Sequence, residues 1–168
     1  MSSSQQVLSE AEEDLSWEPL VLTQEKMNRL WAKFSQIPAV FDDFTRGSPK
    51  AFFEIMVSKD AMFYEIGDEV GIASAVAIRP RLDAIVHLTF FDRRLKGREK
   101  VLTDIMHEVM TKFQLRRLTA AVPCNRRIMI RYLRRLGFRE EGVMRDAYLT
   151  EGRYLDMVLF GLLKEELK

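Results

Sequence analysis

Cysteine is nearly absent: Cys124 is the only one in 168 residues, so no internal disulfide can form. A lone thiol fits a reducing compartment, and the expectation is a cytoplasmic protein. The chain also lacks any run of about 18 apolar residues, the length a membrane-spanning helix needs, and its first sixteen residues lack the basic start and apolar stretch of a secretory signal. No membrane association is expected. Histidine is scarce too, with only His87 and His107, and no Cys/His/Asp spacing resembles a zinc site, so no metal is expected. Nor does one sign of charge prevail: 26 Lys and Arg against 25 Asp and Glu leave a net charge of +1. The basic residues crowd the segment from Arg93 to Arg139. A nucleic-acid binder would be expected to add a helix-turn-helix, zinc-finger or RNP-like signature, and none is there. A solvated helix face explains the arginines more simply.

Against these absences, 47% hydrophobic and 30% charged residues describe a chain that can bury one core and keep a wetted surface. The length suits one domain. Residues 1–16, rich in Ser, Gln and Glu, read as a flexible tail, and residues 17–168 as the domain. Leu20, Val21 and Leu22 suggest a first strand. Thr23 ahead of Gln24, Glu25 and Lys26 reads as a helix cap, and Met27, Leu30, Trp31 and Phe34 recur at three- and four-residue spacing over a helix from Gln24 to Phe34. Pro38 closes that segment. A second helical region, broken or continuous, covers Val40 to Met56, with Pro49 in a first turn after Ser48 and with Phe41, Phe44, Phe52 and Phe53 packed inward.

The period then changes. Segments 61–66 and 70–78 flank Gly67, Asp68 and Glu69 as a hairpin, and a third strand from Ala84 to Phe91 has so few polar interruptions that it reads as buried on both faces. A helix over 98–113, a strand over 116–122, a helix from Asn125 to Leu136 stopping at Gly137, and two strands over 142–149 and 154–162 complete the chain. Hairpins together with a crossover make an α/β mixture.

The stretch from Thr89 through Phe90, Phe91 and Asp92 to Lys96, Gly97, Arg98 and Glu99 ends a strand and leads into a helix. It gathers cations and backbone N–H groups at that helix N-terminus, which suits a diphosphate. With Val122-Pro-Cys-Asn125, Leu136-Gly-Phe138 and Gly152-Arg-Tyr-Leu-Asp156, it resembles the GNAT acetyltransferase superfamily, in particular its RimJ/RimL-like branch, over roughly residues 17–163. The resemblance implies a mixed, mostly antiparallel sheet of about six or seven strands with splayed middle strands and about four flanking helices. It also implies an N-acetyltransferase that uses acetyl-CoA as cosubstrate and moves the acetyl group to a primary amine, that of a protein N-terminus, a lysine or a small molecule. Both a monomer and a homodimer are compatible with it.

By the same resemblance, Arg94, Leu95, Lys96, Gly97 and Arg98 match the loop that binds the coenzyme A diphosphate, with Glu99 where the family has a small residue. The backbone of Thr89, Phe90 and Phe91 would hold the acetyl and pantetheine groups. Asn125 would reach the cofactor, or cap its helix instead. Tyr132, seven residues after Asn125, is the candidate acid for the departing thiolate, although counting back from Gly137 and Phe138 points to Leu133. A tyrosine there could equally pack its ring and leave its OH at a wet edge. Asp83 and His87, alternating onto one strand face, are candidate bases; a turn aspartate and a satisfied core histidine are their ordinary readings. Glu65 is expected to face solvent, and Cys124 to be a buried inert thiol. A GNAT-shaped module that binds coenzyme A or a protein partner without catalysis is the rival reading.

Overall fold

The computed structural model describes residues 15–37, 40–43, 47–92 and 97–168. Within them the order is β1 (Trp17–Pro19), α1 (Gln24–Phe34), α2 (Pro49–Met56), β2 (Met62–Ile66), β3 (Gly71–Arg79), β4 (Asp83–Phe90), α3 (Arg98–Lys112), β5 (Arg117–Pro123), α4 (Arg127–Arg135), β6 (Arg139–Thr150) and β7 (Arg153–Leu163). Seven strands form one sheet in the order β1-β2-β3-β4-β5-β7-β6. Only the β4–β5 pair is parallel, and α3 supplies the crossover that a parallel pair requires. This is the α/β mixture of hairpins and a crossover that the sequence implies. No helix among the described residues is long and apolar enough to cross a membrane.

Local signals set several boundaries. The Thr23 hydroxyl accepts the Lys26 N–H at 3.1 Å and starts α1 where expected. Ser48 caps α2 through the Ala51 N–H, and Pro49 occupies its first turn. That start overrides the apolar spacing upstream, so residues 41–43 are not helical and α2 is shorter than expected. Pro38 and Phe44 lie outside the described residues. The first strand is Trp17–Pro19 rather than Leu20 to Leu22, because Leu20 and Leu22 pack instead into the α1–α2 cluster.

Two apolar layers cover the sheet unequally. On one face, α3 and α4 pack over β2 to β5 and β7, around Tyr64, Leu118, Phe160 and Leu162, all fully buried. On the other, α1 and α2 cover β2 and β3 through Leu30, Phe34, Phe52, Met56 and Ile72. Lys26, Arg29 and Lys33 of α1 converge on Glu69 at 3.5, 3.1 and 2.6 Å, fastening the helix to the β2–β3 turn. Lys26 also pairs with Glu65 at 2.5 Å, so Glu65 is buried rather than solvent-facing as expected. Because α1 and α2 stop at β3, β4 is not buried on both faces: Ile85 and His87 are exposed. A near-continuous apolar run says nothing about which neighbouring layer will be present.

Candidate functional site

β4 and β5 pair over three residues only, Asp83–Ile85 against Arg117–Thr119. Beyond them β4 continues to Phe90 beside β3, and β5 to Pro123 beside β7, so the two strands part. The Phe91 N–H donates to the Val70 carbonyl at 2.9 Å, on the β3 side. Antiparallel alternation then directs the Thr89 N–H to β3 as well, and turns the Leu88 and Phe90 N–H groups toward the gap. Of the three backbone positions suggested by the sequence, Phe90 alone offers a donor to the gap. Leu88 was missed, since only the strand register tells which amides face β5.

α3 begins at this gap. Gly97 is its N-cap, with φ 79° and no side chain to satisfy the first-turn amides. Arg98 is buried; its guanidinium carbon lies 3.9 Å from the Phe90 ring centroid, it donates to the Asp92 carbonyl, and its Nε–H has no partner among the described residues. Burial lowers the Arg98 pKa, with Tyr132 and Asp92 acting in the opposite direction. The Tyr132 hydroxyl is likewise buried and unpartnered, so it is not at a wet edge. Burial first, then Glu99, pushes its pKa up to about 12, while Arg98 and Arg135 pull it down. Two buried polar groups without partners are costly unless something else bonds to them.

Leu133 sits in the core, so it is Tyr132 rather than Leu133 that brings a hydroxyl toward α3. Glu99 is ion-paired to Arg135 in the last turn of α4, which neutralises the one acidic departure in the loop pattern. Arg94, Leu95 and Lys96 lie outside the described residues. Asn125 does not cap α4: the Arg126 N–H bonds the Pro123 carbonyl at 2.9 Å, a turn forms there, and the helix starts at Arg127 with Asn125 exposed before it. Cys124 is exposed, contrary to expectation, in the same turn.

Asp83 and His87 do share the opposite face of β4, but in different settings. Asp83 is held in a fork by Arg79, at 2.6 Å from Nε and 2.5 Å from the terminal nitrogen, and Arg79 keeps its pKa below the usual carboxylate range. His87 is exposed rather than a satisfied core histidine, because no helix covers it. The protein around its ring still desolvates it, and that lowers its pKa. Two hollows elsewhere, one at Gln114, Arg116 and Lys164 and one at Trp17, Lys26 and Asp68, are lined by no unpartnered buried polar group among the described residues. Among the described residues, two of the three unpartnered buried polar groups, on Arg98 and Tyr132, lie at the start of α3 beside that gap, and the third is the Tyr64 hydroxyl in β2.

A family model described as an acetyltransferase (GNAT) domain matches residues 54–159. A search of curated protein sequences gives no match. Among solved structures, a spermidine N-acetyltransferase from Vibrio cholerae in complex with CoA and spermine is similar, at 12% identity and a TM-score of 0.72, over 92% of this chain and 98% of that one. A ribosomal-protein-alanine N-acetyltransferase from Brucella melitensis matches at 16% identity and 0.71, over 87% and 99%. Arabidopsis thaliana NAA60 in complex with acetyl-CoA matches at 16% identity and 0.71, over 90% and 99%. At these identities the likeness is one of fold.

Proposed function

The chain belongs to the acetyltransferase (GNAT) domain family, and on that premise we propose that it transfers an acetyl group from acetyl-CoA to a primary amine by direct attack in a ternary complex. One observation carries the reading: the Arg98 Nε–H and the Tyr132 hydroxyl are buried without partners among the described residues, beside the uncapped start of α3, where β4 and β5 part. The donors present there suit a diphosphate and a thioester. The amides of Gly97, Arg98 and Glu99, with Arg98 itself and the neighbouring Arg94, Leu95 and Lys96, hold the diphosphate. The acetyl and pantetheine groups lie in the gap, against the Leu88 and Phe90 amides, with Thr89 and Phe91 flanking. Asn125 reaches the cofactor from the turn before α4.

The amine nitrogen attacks the thioester carbonyl carbon and the C–S bond breaks. The Phe90 and Leu88 amides stabilise the negative charge that forms on oxygen, without reorganising. The amine proton passes to His87, directly or through water, and Tyr132 protonates the departing sulfur, so coenzyme A leaves as a thiol. Asp83 is the poorer base because Arg79 already binds its carboxylate. Holding both reactants in line removes about 7–11 kcal/mol of the barrier in favourable cases.

The acceptor we favour is a protein N-terminus, in keeping with the RimJ/RimL-like pattern around Asn125 and Gly137. A cytoplasmic setting suits the exposed thiol of Cys124. The test is a calorimetric titration with acetyl-CoA and with CoA, on the wild type and on Arg98→Glu. Binding that the substitution abolishes supports the site; no wild-type binding at millimolar ligand overturns the enzyme reading.

A further inference from the structure

The segment after α1 is tied to the far side of the sheet through Asp43. Asp43 Oδ1 accepts the Glu151 N–H and Oδ2 the Gly152 N–H, each at 2.8 Å, and the Asp43 N–H donates to the Leu149 carbonyl at 2.9 Å. Glu151 and Gly152 form the two-residue β6–β7 turn, both with positive φ, as a type I′ hairpin turn requires. A carboxylate that takes two backbone amides makes strong, directional bonds.

The tie crosses the parted strands. Pro123 at the end of β5 lies opposite Met157, so the start of β7 and the β6–β7 turn project beyond the end of β5. β4 runs parallel to β5, and just past its end Phe91 packs against Phe34 of α1 at 5.0 Å between ring centroids. The end of α1 and the β6–β7 turn therefore stand on either side of the gap, with Asp43 joining them. By strand register, His87, Thr119, Ala121 and Leu159 share the sheet face between them, opposite α3. Carboxylates around this face are engaged: Asp83 by Arg79, Glu141 by Arg117 at 2.7 Å, and Asp43 by the turn amides. A second cation on an acceptor would lose hydration there against carboxylates that already hold partners.

Resting on the acetyl-transfer reading above, we propose that Asp43 is a specificity-determining positioning residue. Its hold on Glu151 and Gly152 sets the width of the acceptor mouth, which takes the single amine at the end of an extended peptide in preference to a polyamine.

The test is steady-state release of coenzyme A thiol from acetyl-CoA, with tetrapeptides bearing free Ala, Ser or Met N-termini and with spermidine as acceptors. Asp43→Ala and Asp43→Asn are compared with the wild type, and calorimetric acetyl-CoA binding serves as the control for folding. In Asp43→Ala the peptide KM rises about tenfold, equivalent to about 1.4 kcal/mol, while kcat and the acetyl-CoA Kd stay within about twofold. Asp43→Asn, which keeps a carbonyl acceptor, falls between. The wild type uses peptide in preference to spermidine. An unchanged peptide KM in Asp43→Ala, or a preference for spermidine, overturns the proposal. Wild type that binds acetyl-CoA but acetylates none of these probes overturns it while leaving the cofactor site standing. Failure to bind acetyl-CoA overturns the underlying reading and this proposal with it.

Discussion

The guanidinium of Arg98 stacks over the Phe90 ring, its central carbon 3.9 Å from the ring centroid, and so links the first turn of α3 to the strand end that offers an amide to the gap. A buried cation on an aromatic face contributes about 0.5–2 kcal/mol. Arg98→Ala should weaken acetyl-CoA binding by about 10–100-fold, in line with losing a charged hydrogen-bond donor, and should also lower the melting temperature. Arg98→Lys keeps the charge but loses the planar stack and the fork, so it should recover only part of the affinity. Calorimetry and thermal unfolding on the same samples read both effects.

Tyr132 buries a hydroxyl without a partner among the described residues, so its removal separates catalysis from stability. Tyr132→Phe should leave the melting temperature unchanged or slightly raised, because an unsatisfied polar group is lost. As the acid, it should lower kcat by about 10²–10⁴-fold with little change in acetyl-CoA affinity. The phenol, with its pKa pushed up to about 12, stays protonated across an ordinary assay range, so no alkaline loss of rate should trace to it. Unchanged kcat in the Phe variant would make Tyr132 a packing residue.

His87 must be neutral to accept a proton. Desolvation lowers its pKa, so the neutral form persists below the ordinary histidine value near 6.5. The acid limb of kcat/KM should therefore fall below that value, with activity lost as pH drops through the lowered pKa. His87→Gln should reduce kcat and remove the limb, as a pH–rate series on both proteins would reveal.

Glu69 supports the fold rather than the chemistry. Its pKa is depressed, first by the hydrogen bond from Lys33. A carboxylate with a lowered folded pKa contributes stability above its unfolded pKa, and that contribution is lost as pH falls through the folded value. Arg29 and Lys33 are partly exposed, so screening limits the effect to about 1 kcal/mol. Glu69→Gln should be less stable than wild type at pH 7, and the difference should close toward pH 3 in urea unfolding curves.

How much of this was legible in advance depended on whether the information was local. The Thr23 cap, Ser48 before Pro49 and the spacing of Leu30, Trp31 and Phe34 act within one helical turn, and α1 begins and ends where they place it. Likewise, glycines and turn residues separated β2 from β3 and β6 from β7, since hairpin register follows from a few adjacent residues. The basic segment leading into α3, with Gly97 at its start, suggested an anion site because helix N-termini bind anions for a local reason.

What needed the tertiary structure is what depends on a distant partner. Glu65 reads as a surface carboxylate until Lys26, 39 residues earlier, is placed against it. Ile85 and His87 read as core until α1 and α2 are seen to stop at β3. Asp43 carried no signal at all, because its partners lie more than a hundred residues away. Tyr132 and Leu133 could not be told apart by counting, since the burial of Leu133 chose which of them turned toward Arg98. Local chemistry, then, determined the elements and the candidate anion loop, whereas the groups unpartnered in the gap and the tie across it were decided by which helices and strands came to lie beside them.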